Sequence, residues 1–221
     1  MSAVSPVNHH PSDETLLRYA AGRLPAGASV VIATHLEGCP VCRARFANFA
    51  AMGGRLVEEA SPELMAPNAL AEAMARIDAL DATPPTPPPA RIVRHDIALD
   101  LPRALRRCDV GRWRWFGPGV HLSRVTIPEA PAARLTLLRV GAGRALPEHG
   151  HSGLEFTQVL TGSFTDEFGT FRPGDLAEMD SEVEHQPVVD KQGECICLAA
   201  FDGEMVLSGL FGRLVQPFLK L

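Results

Sequence analysis

Residues 143–162 read Gly-Arg-Ala-Leu-Pro-Glu-His-Gly-His-Ser-Gly-Leu-Glu-Phe-Thr-Gln-Val-Leu-Thr-Gly. His149 and His151 are two apart, so an extended chain directs both imidazoles to one face. Glu155 follows, and Phe156 to Leu160 has the aliphatic and β-branched character of a strand. Working outward, Arg134 to Val140 and Ile196 to Ala200 have the same character, and turns are signalled by Gly141-Ala142-Gly143 and Pro173-Gly174-Asp175. From Ala133 onward the chain therefore reads as a small all-β barrel or jelly roll. His185, returning from a distant strand, can complete a set of three imidazoles and one carboxylate with His149, His151 and Glu155. Such a set leaves open positions on Fe, Mn or Ni, and it equally holds Zn²⁺ in a closed tetrahedral shell. The competing reading is a solvated polar strand face.

The spacing Gly143-x5-His149-x-His151-x3-Glu155-x6-Gly162 resembles the first cupin motif at every position. A second cupin motif is partial: Pro173-Gly174-Asp175 and His185 match, while Val189 stands where asparagine is usual. Cys195 and Cys197 share one strand face, either towards the barrel interior or on its outer wall, and ordinary core packing is the expectation. Cys108 is expected to be a plain thiol. The arginine-rich segment Arg91 to Arg114, with Trp113 and Trp115, is expected to cover a barrel flank rather than bind RNA.

Upstream, residues 84–89 read Pro-Pro-Thr-Pro-Pro-Pro, which neither helix nor sheet tolerates and which favours polyproline II. This run divides the chain into residues 1–81, a linker over 82–90, and residues 91–221. At ~3.1 Å per residue the linker would separate two mechanically independent parts by up to roughly 25 Å.

The first part reads as four helices. Pro11-Ser12-Asp13-Glu14 starts a helix that ends at Gly22, with Leu16, Leu17 and Ala20 inward. Ala28 to Glu37 forms a second, with Val31, Ala33 and Leu36 on its apolar face. A third begins at Cys39-Pro40, reaches about Ala51 and is stopped by Gly53-Gly54. Ser61-Pro62-Glu63 repeats the start signal, and Leu70, Met74, Ile77 and Leu80 give a fourth helix an amphipathic spacing. His35-x3-Cys39-x2-Cys42 brings one imidazole and two thiols to a helix-turn-helix corner. That set suits Zn²⁺, which in a structural site takes a fourth ligand; His9 and His10 both offer one. Buried structural cysteines and a redox pair are the alternatives, but a thioredoxin-like C-x-x-C follows a strand in a βαβ unit, which is absent here.

His10 and His35-x3-Cys39-x2-Cys42, with Tyr19-Ala20-Ala21-Gly22, resemble the zinc-containing anti-sigma domain of the ChrR type. The likeness extends through Trp115 to Val120, Cys195-Ile196-Cys197 and Val215-Gln216-Pro217-Phe218. It implies that His10, rather than His9, is the fourth zinc ligand. It also implies that the helices restrain an extracytoplasmic-function sigma factor of RNA polymerase, and that the cupin domain releases it under singlet oxygen or related oxidants. The fold class expected is thus multidomain: an all-α four-helix zinc domain followed by an all-β cupin barrel. A cupin dioxygenase fused to a helical dimerisation domain is the enzymatic alternative.

Composition narrows the functional classes. Across 221 residues, 21 Lys+Arg against 26 Asp+Glu give a net charge of -5, and 46% of residues are hydrophobic. Buried cores are expected; nucleic acid and anionic membrane are not expected partners. The most apolar early stretch, Ala28 to Leu36, is shorter than the roughly 20 residues of a membrane span. Five cysteines in the absence of a signal peptide favour a cytoplasmic protein that uses thiols for metal rather than disulfides.

Overall fold

The computed structural model describes residues 7–81, 100–203 and 205–207. The proline run, the start of the arginine-rich segment and the ending Val215-Gln216-Pro217-Phe218 lie outside the described residues. Four helices come first: α1 (Asp13–Ala20), α2 (Ala26–Gly38), α3 (Pro40–Glu59) and α4 (Ala69–Asp81). A 3-10 turn at Arg103–Arg107 leads to β1 (Asp109–Val110), β2 (Arg114–Gly117), β3 (Val120–Thr126), β4 (Leu135–Val140), β5 (His149–His151) and β6 (Leu154–Thr161). The remaining strands are β7 (Phe164–Asp166), β8 (Gly169–Phe171), β9 (Leu176–Met179), β10 (Val188–Val189), β11 (Cys195–Asp202) and β12 (Met205–Leu207).

All pairings are antiparallel. The main sheet runs β1-β3-β4-β11-β6-β9, with β2 also on β3; a β10-β7-β8 sheet and a β5–β12 pair complete the strands. The pleat sorts each main strand between two cores. Val140, Val159, Ala177, Met179, Cys195 and Cys197 join Phe164 and Phe171 inside the barrel. Leu135, Leu137, Phe156, Leu176, Leu198 and Ala200 point the other way, into one cluster with Leu16, Val31, Ile32, Leu36, Cys39 and Cys42 of the helices.

This second cluster corrects the expectation of independent parts. An outer sheet face made of Leu, Phe and Ala must be covered, and α2 covers it. Gly27 marks the closest approach: a Cβ there would meet the Arg134 carbonyl oxygen at 3.0 Å and Ala200 Cβ at 3.4 Å. Being enclosed on more than one side, α2 buries Ala28, Val31, Ile32, Thr34, His35 and Leu36, a wider face than the sequence implied.

Three local expectations also change. Leu17 on α1 is exposed while Leu16 is fully buried. Helix α3 continues through Gly53-Gly54 to Glu59, because each glycine costs only about 1 kcal/mol. Leu56 and Val57 carry the turn onward, and Arg55 pairs with Glu59 at i,i+4. Ser61-Pro62-Glu63 starts no helix; α4 begins after Pro67, whose ring disfavours a helical residue before it. Leu70, Met74 and Ile77 on α4 are exposed.

Candidate metal centres

Ser12 caps α1 by accepting from the Thr15 amide, and the chain ahead of it runs extended along β9. Leu176 N donates to the His9 carbonyl at 3.1 Å. The Asn8 and His9 amides donate to Asp175 Oδ1 at 2.7 and 3.0 Å. These bonds fix the strand-like segment that carries His10. At the other side of the corner, Cys39 is the N-cap of α3, with Pro40 in the first turn and Sγ accepting from the Cys42 amide. His35 occupies the last turn of α2.

His10 Nδ1 lies 3.5 Å from Cys39 Sγ and 3.4 Å from Cys42 Sγ, and the four donor atoms of His10, His35, Cys39 and Cys42 all lie within 4.8 Å of one another. Zinc–sulfur and zinc–nitrogen bonds of ordinary length, opened to a tetrahedral angle, put N and S about 3.6 Å apart. The cluster thus has the size such an ion requires. His35, Cys39 and Cys42 are buried and His10 half-buried. Burial, followed by the adjacent Cys39 thiol, pushes Cys42 up to about 11, so a cation is what would make a thiolate of Cys42. His35 Nε2 is buried without a hydrogen-bond partner.

The second group lies inside the barrel. β5 supplies His149 and His151, β6 supplies Glu155, and His185 bridges back onto His149 through paired backbone hydrogen bonds of 3.1 and 3.0 Å. All four are buried and their donor atoms fall within 4.8 Å. The His149 Nδ1–H donates to the Pro147 carbonyl at 2.8 Å, and the His185 Nδ1–H to Asp166 Oδ2 at 3.0 Å. Both contacts leave Nε2 free to face the centre, the usual outer support of a metal-bound imidazole. Thr157 donates to Glu155 Oε1 at 2.7 Å. Burial by itself would raise the Glu155 carboxyl; the close His151 imidazole, the charge of His149 and the Thr157 hydroxyl outweigh it and hold the group at about 2. Glu155 Oε2 lies 2.6 Å from His151 Nε2 and 3.8 Å from His185 Nε2, while His151 Nδ1 and His185 Nε2 are buried without hydrogen-bond partners. Polar atoms left this way are costly unless something else completes them, so both clusters fit a bound metal ion.

A family model, the ChrR cupin-like domain, matches residues 102–202. Over 218 residues the chain is 42% identical to the anti-sigma-E factor ChrR of Cereibacter sphaeroides, covering 97% of this chain and 99% of that relative. The chain belongs to the ChrR anti-sigma factor family. The crystal structure of Rhodobacter sphaeroides SigE in complex with the anti-sigma ChrR matches with a TM-score of 0.71 and 39% identity, over 89% of this chain and 99% of that one. An RmlC-like cupin protein of Ralstonia eutropha matches 47% of this chain and 69% of its own at 20% identity, with a TM-score of 0.39.

In this ChrR-family chain the sequence-derived residues converge in the two groups already described. His9 stays apart: its ring lies 4.2 Å from that of Phe171 and against Gly169. Cys195 and Cys197 sit inside the barrel with sulfurs 3.6 Å apart. Of the aromatic pair expected to cover a barrel flank, Trp113 packs against the shared cluster as expected, while Trp115 is exposed. Among the described residues no helix is long and apolar enough to cross a membrane. Sequence reasoning missed the supporting side chains Gln158, Asp166 and Thr157, and the tethering role of Asp175. Gln158 alone left a signal, as a lone amide on the otherwise apolar outward face of β6.

Proposed function

We propose that this protein is an anti-sigma factor whose helices sequester an extracytoplasmic-function sigma factor and whose barrel governs its release on an oxidant signal of the singlet-oxygen type. The observation that carries the reading is an uncovered apolar surface. Met52, Leu56 and Val57 on α3, Leu64 and Met65 after it, and Leu70, Met74 and Ile77 on α4 are each at least half exposed, Leu64 by 97%. So many large apolar side chains on one helical arm mark an interaction site. The relative of known structure, at 39% identity, was crystallised with SigE, which supports a sigma factor as the occupant.

In this reading His10, His35, Cys39 and Cys42 hold one Zn²⁺ in a closed shell that organises the helices. His149, His151, Glu155 and His185 hold a second divalent ion, zinc or one of Fe, Mn and Ni. The protein acts in the cytoplasm as a regulator rather than as an enzyme, and the net charge of -5 gives no electrostatic reason to expect nucleic acid as a direct partner. The test is co-expression with the cognate sigma factor. A co-purifying complex is expected for the parent and its loss for the Cys39→Ala, Cys42→Ala double variant. Failure of the parent to retain the sigma factor overturns the assignment.

A further inference from the structure

The barrel reaches His35 of the helical cluster through the Gln158 side chain, with the Gly174 backbone also close to the ring. His35, on α2, presents Nδ1 to Gln158 Oε1 of β6 at 3.1 Å, in a contact buried from solvent. The Gln158 amide nitrogen is 3.5 Å from the Val159 carbonyl, so its oxygen is the end turned towards the helix. With Nδ1–H donating to that oxygen, the lone pair of His35 is on Nε2, the atom left buried and unpartnered beside His10, Cys39 and Cys42. The surroundings of Gln158 offer no other reason for an amide. Its outward-facing neighbours on β6, Leu154, Phe156 and Leu160, belong to the apolar cluster beneath α2.

We infer that Gln158 is a positioning residue for the helical metal site: the barrel supplies the outer-shell acceptor that fixes the tautomer and ring orientation of the His35 ligand. The inference rests on the proposed reading of His10, His35, Cys39 and Cys42 as metal ligands. An imidazole ligand is normally held in this way by a carboxylate, carbonyl or water, and loss of that partner typically costs 10–100-fold in metal affinity. Here the partner comes from the other half of the molecule. Metal retention by the helices therefore depends on their docking to the barrel, and by linkage a bound ion favours docking by the same factor.

The test uses the full chain loaded with Co²⁺. Of the two clusters only the helical one contains thiols, and carrying Cys195→Ser and Cys197→Ser in every protein compared removes the barrel's own sulfurs, so the thiolate-to-cobalt charge-transfer absorption reports the helical site. Gln158→Leu keeps volume on an apolar face but removes the acceptor; Gln158→Glu restores one as a carboxylate. In competition with a chelator, Gln158→Leu should hold cobalt at this site about 10–100-fold more weakly, while Gln158→Glu holds it at least as tightly as the parent. Equal affinity in Gln158→Leu and the parent overturns the inference. Equal weakening in both variants also overturns it, because a packing role would not be rescued by an acceptor. Absence of the charge-transfer band in the parent would instead remove the metal-site reading beneath it.

Discussion

Asp175 is the residue whose removal best measures how the N-terminal segment is held. Its carboxylate is 1% exposed and takes three backbone amides, from Asn8 at 2.7 Å, His9 at 3.0 Å and Arg172 at 2.8 Å. Hydrogen bonds to a charged group are worth about 1.5–3 kcal/mol each, so Asp175→Ala should cost about 4–5 kcal/mol even at the low end of that range. Asp175→Asn keeps an oxygen for Asn8 and His9 but turns an amide towards the Arg172 N–H; its cost should be about 2 kcal/mol. Urea unfolding of the full chain at fixed metal content gives the totals. Amide hydrogen exchange gives the location, since protection should fall first at Asn8, His9 and Arg172 while β6 and β11 stay protected. Because the same segment carries His10, Asp175→Ala should also loosen metal at the helical site. An alanine variant that loses less than about 1 kcal/mol and keeps those three amides protected would refute the tethering argument.

Three further outcomes are expected. Leu70→Asp, Met74→Asp and Ile77→Asp, at exposed positions, should change stability by no more than about 0.5 kcal/mol yet weaken sigma-factor binding more than about tenfold; unchanged binding by titration would move the docking surface elsewhere. Glu155→Gln removes the single carboxylate of the barrel centre, so metal content there should fall and oxidant-induced release should disappear while restraint of the sigma factor persists; a reporter that is constitutively active in this variant would contradict the division of labour. With Cys42 at about 11 in the metal-free chain, uptake of a cation near neutral pH expels the thiol proton, so apparent affinity at the helical site should rise about tenfold per pH unit for each proton released; an affinity that is flat between about pH 6 and 8 would show that the thiols do not ligate.

Three members of each candidate metal group, His149, His151 and Glu155 and likewise His35, Cys39 and Cys42, stood out in the sequence because their spacing is local; His185 and His10 lie far off along the chain, and only the family resemblance singled out His10 over His9. His149 and His151 share a strand face by the two-residue period, and Cys39 and Cys42 share a helix start marked by Pro40. The docking of the helices was not legible, although its traces are present. β11 is apolar on both faces, with Leu198 and Ala200 outward and Cys195 and Cys197 inward, and a barrel solvated outside would alternate. Phe156, Leu198 and Ala200 therefore announced a covering layer without saying which element supplies it, and the proline run suggested separation instead. The end of α3 failed for a different reason. Two glycines weaken a helix without ending it when no proline or capping geometry follows, as Leu56 to Glu59 show.

The sheet that separates the two clusters also connects them. On β6, Glu155 points inward to the barrel centre, while Gln158, three residues on, points outward to His35. β6 pairs with β9 through Glu155↔Met179 and Gln158↔Leu176. On β9 the outward Glu178 accepts from the Ser12 amide at 2.8 Å and from Thr15 Oγ1 at 2.7 Å, just after His10. One antiparallel pair therefore carries a barrel ligand on its inner face and the supports of His35 and His10 on its outer face. A change in the barrel shell that shifts this pair acts on the helical cluster from both sides at once, through Gln158 and through the segment tied to Asp175 and Glu178. Reducing sigma-factor affinity tenfold needs only ~1.4 kcal/mol of such coupling, about the worth of one of these hydrogen bonds. On the proposed reading, the helical face offered to a sigma factor and the barrel assigned to an oxidant signal would need no contact of their own, because β6 and β9 touch the supports of both groups.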